Sequence, residues 1–293
     1  MNQNYIFSKD NNREYLLFIA IIPLYLYGIY KNGYLLYANK YINLFGIFKV
    51  VLYPLISALI GYLLGYIFKN KKRELLNFGV LAGLIVPFNF NMIVYFILVI
   101  GLLLLVALVP NKYKINELSL FLAVLIVISK LSNNSLLFNP MELTNMYKFT
   151  LVDLFFGRGA SLLYTSSIFW IICSYFVLVF IKTYKKNIFL ISGFTFTILF
   201  LVYMIITKDY LNTFKLFLNG TTFFSLVYLA PINVASPSTD KEITIFSILL
   251  GIVSFILIFI FKVYTGSIIA VLILSVLYRI YCNFRQKMFF KKI

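Results

Sequence analysis

Apolar residues run along this chain in ten long segments, separated by short stretches that hold most of the charged side chains. Many of these segments approach the roughly 20 apolar residues that a helix needs to cross a bilayer core about 30 Å thick. The pattern therefore predicts an all-α polytopic membrane protein. The predicted helices span residues 15–30, 48–68, 75–87, 92–109, 115–131, 165–182, 188–206, 215–231, 243–261 and 266–282.

The ten segments fall into two sets of five with matching spacing. When each segment is paired with the one five places later, the starting residues differ by 150, 140, 140, 151 and 151 residues. Because five is odd, the second set enters the membrane from the opposite side, which predicts two inverted five-helix repeats. The predicted organisation is an N-terminal cytoplasmic segment 1–14, a first repeat 15–131, an extracytoplasmic loop 132–164, a second repeat 165–282 and a basic cytoplasmic tail 283–293.

Two of the apolar segments are short and end in a similar way, at Pro87 and at Pro231. The pattern predicts broken third and eighth helices, the third only about 20 Å long. Irregular backbone at membrane depth is tolerated only where it is buried in protein or lines a cavity. The polar residues after each proline are therefore candidates to meet a ligand or an ion, although ordinary helix-end turns at the membrane interface would use the same residue types. These candidates are Asn89, Asn91, Asn233 and Ser236.

The distribution of charge predicts the location of the chain and its orientation. The chain has 26 Lys and Arg against 9 Asp and Glu, a net charge of +17, and only 12% charged residues. In the predicted topology with both termini inside, 17 of the basic residues face the cytoplasm and 9 face the other side. This asymmetry is typical of membrane proteins. It predicts a cell-membrane protein in the lipid bilayer and argues against a nucleic-acid partner.

Several kinds of chemistry are excluded by composition. The chain has no histidine, which removes imidazole metal ligation and the commonest general base. Its two cysteines, Cys173 and Cys282, are too few for an iron–sulfur cluster or a thiolate metal site of its own. All nine acidic residues fall outside the apolar segments or at their ends, which disfavours a proton-coupled transporter. No catalytic residue and no metal ligand is predicted.

Residues 151–166 carry a resemblance to a known family. Leu154-Phe155-Phe156-Gly157 matches a Leu-Phe-x-Gly stretch, and Ser161 with Thr165-Ser166 matches parts of a following Gly-Ser-x-Gly-Glu-Thr-Ser stretch. These stretches belong to the family that holds the RnfD protein of the Rnf electron-transport complex and its NqrB counterpart in the sodium-translocating NADH:quinone reductase, and this chain resembles that family. Here Ala160 and Leu163 replace glycines, and Tyr164 replaces the glutamate. A second stretch, residues 236–241, is similar to the Thr-Ser-Pro-x-Thr-Pro-Lys segment of the same family.

The resemblance implies a membrane subunit of a flavin-containing electron-transfer complex coupled to sodium or proton movement. It implies FMN or riboflavin as cofactor, and partner membrane subunits that supply the iron–sulfur clusters and the electron entry site. Many members attach FMN to a threonine in a Ser-Gly-Ala-Thr motif; Thr144 is the nearest positional counterpart here, without Ser-Gly-Ala before it. The chain would then be a possible subunit of an ion-translocating oxidoreductase. The expected cofactor-binding residues are Thr144, Arg158, Gly159, Ser161, Thr165, Ser166, Asn89, Asn233 and Ser236.

Other interpretations of these residues stay open at the level of sequence. Arg158 lies between two glycines and could take a phosphate, or it could simply point to water. Thr165-Ser166 could cap the sixth helix instead of binding a ligand. For the whole chain, the alternatives are a stand-alone channel or transporter for a small neutral solute or cation, and a scaffold subunit that kept the fold and lost its cofactor.

Overall fold

A computed structural model describes residues 15–87, 90–110, 115–131, 150–159, 161–181, 184–232, 236, 237 and 239–290. The described residues are mostly helical and contain no strand. The helices are α1 (Tyr15–Ile29), α2 (Leu35–Ala38), α3 (Leu44–Ile67), α4 (Lys72–Leu84), α5 (Met92–Leu108), α6 (Glu117–Leu131), α7 (Leu151–Phe155), α8 (Ile168–Leu178), α9 (Lys186–Thr207), α10 (Tyr210–Phe217), α11 (Gly220–Phe224), α12 (Asp240–Phe255) and α13 (Gly266–Phe290). Turns of π-helix join α1 to α2 (Tyr30–Tyr34), extend α11 (Ser225–Leu229) and extend α12 (Ile256–Ile260).

The all-helical membrane class is confirmed. Each of the ten predicted segments contains a helix, and five helical stretches are long and apolar enough to cross a membrane. The helices α5 and α8 are apolar but shorter. The inverted-repeat topology itself stays a prediction. The five long stretches are Leu16–Ala38, Leu44–Ile67, Lys186–Thr207, Asp240–Ile260 and Gly266–Arg285.

The third and eighth predicted segments are short helices. The helix α4 has 13 residues, and the buried, non-helical residues 85–87 follow it. The eighth segment is divided, because α10 ends at Phe217 and a separate helix begins at Gly220. The sixth helix begins later than predicted, at Ile168, because the side chain of Ser167 takes the N-cap position and accepts from the Trp170 N–H at 3.4 Å.

Glycines bring α3 and α4 into close contact along their length. An added Cβ at Gly79 would lie 2.5 Å from the carbonyl oxygen of Ser57, and one at Gly61 would lie 2.6 Å from the carbonyl oxygen of Leu75. Small residues at such an interface let two helix backbones approach, which favours packing where lipid provides no hydrophobic driving force. The short α4 is therefore held along α3.

A proline in α3 leaves a carbonyl group for another part of the chain. Pro54 has no N–H, so the carbonyl of Val50 loses its partner within the helix. The hydroxyl of Tyr164 donates to that carbonyl, and the hydroxyl of Tyr25 donates to the carbonyl of Val51 at 2.7 Å. These bonds tie α1, α3 and the residues before α8 together.

Elements from both halves of the chain share one core. The helix α1 packs against α8, and α6 packs against α13. The side-chain amide of Asn116 donates to the carbonyl of Leu229 at 2.8 Å, and the hydroxyls of Ser174 and Tyr228 both donate to the carbonyl of Ala20. The candidate site lies where these two halves meet.

Candidate functional site

The stretch that carries the sequence resemblance begins in α7 and continues into a loop between α7 and α8. This loop is here called the 157–167 segment. The loop begins at Gly157, which has a φ of +100°. An added Cβ at Gly157 would lie 2.7 Å from the backbone nitrogen of Ser167, so the two ends of the loop touch each other. Only glycine adopts this conformation freely and leaves room for that contact. Residues 161–167 are all buried, although none of them is helical.

A buried lysine and a buried asparagine hold this segment from the π-helical turn that follows α1. The ammonium group of Lys31 donates to the carbonyl of Gly159 at 2.6 Å and to the hydroxyl of Ser161 at 3.4 Å. The side-chain amide of Asn32 donates to the carbonyl of Leu163 at 2.5 Å. Both residues lie in the π-helical turn Tyr30–Tyr34, which turns them inward, and Lys31 is 0% exposed. Insertions of this kind are frequent at functional sites.

The segment also contacts the broken end of α4. The backbone N–H of Leu163 donates to the carbonyl of Val86 at 2.9 Å, so a residue after the short third helix is bound to a residue before the sixth. Gly28 of α1 packs directly on Leu163 and on the ring of Tyr164, which leaves no room for a side chain there. Tyr164, which replaces the glutamate of the family motif, is thus enclosed by α1 and α3.

Four buried hydroxyls lie in the two stretches of chain that pack against each other at the start of α11. At the start of α11, the missing Cβ of Gly220 leaves room for the carbonyl groups of Thr165 and Ser166. The hydroxyls of Thr165, Ser166, Thr221 and Thr222 are buried and have no hydrogen-bond partner in the part of the chain that the structure describes. An unsatisfied buried hydroxyl costs about 1–3 kcal/mol, so such groups normally have a partner in the native state. These four hydroxyls, here called the hydroxyl cluster, are therefore the candidates to bind a polar group that does not belong to the chain.

Arg158 is engaged outside this cluster. Its guanidinium donates to Asp153 at 2.7 Å, and its side chain is exposed. Asp153 belongs to a capping box with Thr150 at the start of α7. Hydrogen bonds from Thr150, and then the charge of Arg158, hold the pKa of Asp153 below its usual range. A phosphate bound at Arg158 would therefore meet a guanidinium whose charge is already offset by the Asp153 carboxylate.

The structure brings together four of the predicted residues, Gly159, Ser161, Thr165 and Ser166, and separates Ser236 from them. Ser236 accepts from the ammonium group of Lys185, at 2.6 Å to its hydroxyl and 2.8 Å to its carbonyl. Along the chain, Ser236 follows the π-helical turn Ser225–Leu229, whereas Gly220 precedes it. Burial lowers the pKa of Lys185 to about 8.

The remaining predicted residues do not join the site. Asn91 is exposed and caps α5 by accepting from the Ile93 N–H at 2.9 Å, which is the ordinary helix-end role. Thr144, Asn89 and Asn233 lie outside the described residues.

Sequence reasoning missed Lys31, Asn32, Thr221 and Thr222 as site residues. One signal was available for the first of them, because a lysine within an apolar span is rare and usually functional. The acidic residues also differ from expectation in burial. Glu74 and Glu117 lie at helix starts, as predicted, but they are only 7% and 2% exposed.

The fold and the site together define a polytopic helical membrane protein with a non-helical segment buried between its two halves. The model of the NQR2, RnfD, RnfE family matches residues 119–290, more than half of the chain, so the chain belongs to this family. The family consists of membrane subunits of Rnf and NQR electron-transport complexes. The match includes the 157–167 segment, the hydroxyl cluster and Ser236, and it confirms the resemblance found in the sequence. No curated protein matches the chain.

Proposed function

We propose that the chain is the membrane subunit of a flavin-dependent electron-transfer complex coupled to ion movement, and that the hydroxyl cluster binds the flavin. The observation that carries this proposal is the position of the cluster. It lies within the part of the chain that matches the family, and it consists of buried hydroxyls without partners among the described residues. A bound FMN or riboflavin would supply the redox chemistry, while the chain supplies position and electrostatics.

The chemistry of the cluster suits the polar edge of a flavin ring. Hydroxyl groups can both donate and accept, so Thr165, Ser166, Thr221 and Thr222 can pair with carbonyl oxygens and ring N–H groups alike. Lys31 adds a buried positive charge beside the same segment. A cation near the ring stabilises an electron-rich ligand, which is one way that proteins tune a cofactor.

The pairing of Arg158 with Asp153 favours an uncharged ligand in the cluster. A phosphate would compete with Asp153 for the guanidinium, so riboflavin fits the described residues better than non-covalent FMN. A phosphate bond to Thr144 would be a second way to hold FMN. The electron entry site and any iron–sulfur cluster would come from partner membrane subunits.

The first test is the visible absorbance spectrum of the detergent-purified chain, recorded before and after acid precipitation. We expect flavin absorbance that moves to the supernatant, because the cluster would hold the ligand without a covalent bond. Colour that stays in the pellet would indicate a covalent link and direct the next test to Thr144→Ala. A colourless chain that also fails to bind added FMN and riboflavin would overturn the proposal.

The position of the flavin is tested by removing two hydroxyls without changing side-chain shape. We expect Thr165→Val combined with Thr222→Val to lower riboflavin affinity at least about tenfold, because each lost hydrogen bond weakens binding. The matched control is Thr197→Val, since the Thr197 hydroxyl already donates to the carbonyl of Gly193 at 2.8 Å within α9. Equal affinities in the double variant and the control would place the flavin elsewhere.

Transport of a small neutral solute is the second candidate, because the same unpartnered hydroxyls could bind such a solute. The chain reconstituted in liposomes would then take up the solute without any partner subunit. Uptake by a colourless chain, reduced by the Thr165→Val and Thr222→Val pair, would favour this function over the redox proposal.

A further inference from the structure

The turn between α2 and α3 lies at a membrane surface. It joins two spans, Leu16–Ala38 and Leu44–Ile67, of 23 and 24 residues. At 1.5 Å per residue each span is about 35 Å long, which exceeds a bilayer core of about 30 Å. The ends of both spans therefore reach the headgroup layer, whichever side of the membrane this turn faces.

An open surface cavity of about 740 Å³ is formed by this turn and the helix ends beside it. Its lining includes three aromatic residues, Tyr37, Tyr41 and Phe45, and one cationic residue, Lys40. The three rings are exposed, Phe45 by 71%. The cavity thus combines one positive charge with an apolar wall at the level of the headgroups.

The backbone holds Lys40 at this place. The N–H of Lys40 bonds to the carbonyl of Tyr37 at 2.9 Å, and the N–H of Tyr41 bonds to the carbonyl of Leu36 at 2.9 Å. These two bonds form a Schellman motif, with Lys40 at the position that glycine usually occupies and a φ of +62°. The motif sets the direction in which the lysine leaves the end of the helix.

We propose that this cavity binds the headgroup of an anionic phospholipid. The ammonium group of Lys40 complements the phosphate charge, and the rings of Tyr41 and Phe45 would contact the glycerol and the upper acyl chain. A soluble phosphate would use only the lysine, whereas the apolar wall matches an amphiphile. Aromatic side chains are favoured at this depth of the membrane. The inference does not depend on flavin binding.

The test is lipid binding by native mass spectrometry of the full chain in detergent, titrated with phosphatidylglycerol and, separately, with phosphatidylcholine. We expect Lys40→Gln to lower phosphatidylglycerol affinity about fivefold, the effect of one lysine at an anionic membrane surface. Affinity for phosphatidylcholine should not change. Lys40 is exposed, so the variant is expected to fold, and an unchanged melting temperature checks this.

The chain offers two matched controls. Lys208 and Lys262 also have positive φ values, of +53°, and are exposed, but they do not line the cavity. The proposal expects less than a twofold effect of Lys208→Gln or Lys262→Gln. An equal loss in all three variants would show a general effect of charge and would overturn the site.

A second variant tests the apolar wall. Phe45→Ala should weaken phosphatidylglycerol binding, while glycerol phosphate without acyl chains should bind too weakly to detect in any variant. Binding of glycerol phosphate as strong as that of the lipid would mean a phosphate site instead of a lipid site, and would also overturn the proposal.

Discussion

Lys31 links two distant parts of the chain at the candidate site. A lysine with 0% exposure must have its charge compensated, and here its ammonium group is bound by the Gly159 carbonyl and the Ser161 hydroxyl. The bonds join residues 128 and 130 positions apart in the chain. Lys31 is therefore one of the contacts that fix where the 157–167 segment lies, together with Asn32 and the Val86 carbonyl.

The first prediction at this scale is the effect of Lys31→Met. Methionine keeps the length and the apolar stem of the side chain but leaves the Gly159 carbonyl without its donor. We expect a loss of about 1–3 kcal/mol of stability and faster protease cleavage between residues 150 and 165. Thermal unfolding in detergent and limited proteolysis measure the two effects. Lys130→Met, at an exposed position of α6, should change neither; an equal effect would contradict the role of Lys31.

A second residue-scale prediction concerns Lys185. Burial lowers its pKa from 10.5 to about 8, so between these values the unfolded chain binds more protons than the folded chain. Stability should therefore rise with pH in this window, by about 2 kcal/mol up to pH 9.5, and the gain should be absent below pH 8. Melting temperatures from pH 7 to 9.5 measure it. Lys185→Met should lose the rise, whereas the exposed neighbour variant Lys186→Met should keep it.

Individual residues can be predicted as site candidates from sequence only where a motif marks them. The family motif marks Ser161, Thr165 and Ser166, and all three lie in the buried segment. Thr221 and Thr222 carry no motif; they join the site because a glycine at the start of α11 allows close contact between distant segments. The pairing of Arg158 with Asp153, and the contact of the start of α11 with the loop, depend on how the surrounding helices pack. Contacts of this kind are set by tertiary structure.

At the scale of elements, hydropathy predicts the helices well because apolar length is what a membrane requires. Predicted 92–109 and observed Met92–Leu108 differ by one residue. The beginning of the sixth helix is predicted at residue 165 but observed at Ile168, because Ser167 takes the N-cap position. The apolar residues 162–164 before it are buried without being helical, because Asn32 and Val86 bind the backbone of Leu163 and the Tyr164 hydroxyl donates to Val50 in α3. Apolar character predicts burial there, but it does not predict helix.

The contact between α3 and α4 gives the prediction at this scale. Gly79→Ala would place a methyl group 2.5 Å from the Ser57 carbonyl, so the two helices must separate. We expect a loss of about 1–3 kcal/mol, the usual effect of overpacking, seen as a lower melting temperature. The control is Gly101→Ala in α5, where an added Cβ meets nothing within 4 Å. That change should be neutral or slightly stabilising, because alanine favours helix more than glycine does. Equal effects would mean that close packing is not what the Gly79 position requires.

At the scale of the whole molecule, the two halves of the chain are joined by polar bonds at more than one place. Lys31 and Asn32 bind the 157–167 segment, and Asn116 binds both Leu229 and Ser275. The first set holds the segment whose end packs on Gly220 at the start of α11, and the second lies at the end of the π-helical turn that extends α11. The end of the eighth segment is thus bonded directly to the first half, whereas its start is contacted through the 157–167 segment. An inverted repeat predicts an interface between the two halves, here called the seam. The hydropathy pattern does not show which polar bonds form it.

Asn116 gives the last prediction, because its side chain links the halves directly. Its amide donates to the Leu229 carbonyl at 2.8 Å, and its amide oxygen accepts from the Ser119 N–H at 2.9 Å. Asn116→Leu leaves both groups buried without a partner, so we expect a loss of about 2–4 kcal/mol and a lower melting temperature in detergent. Asn39→Leu is the control, since its amide makes a similar bond of 2.7 Å to the Leu35 carbonyl at an exposed position. If the halves were held by apolar packing alone, the two variants would melt alike. A selective loss in Asn116→Leu would show that polar bonds across the seam hold the eighth helix in place.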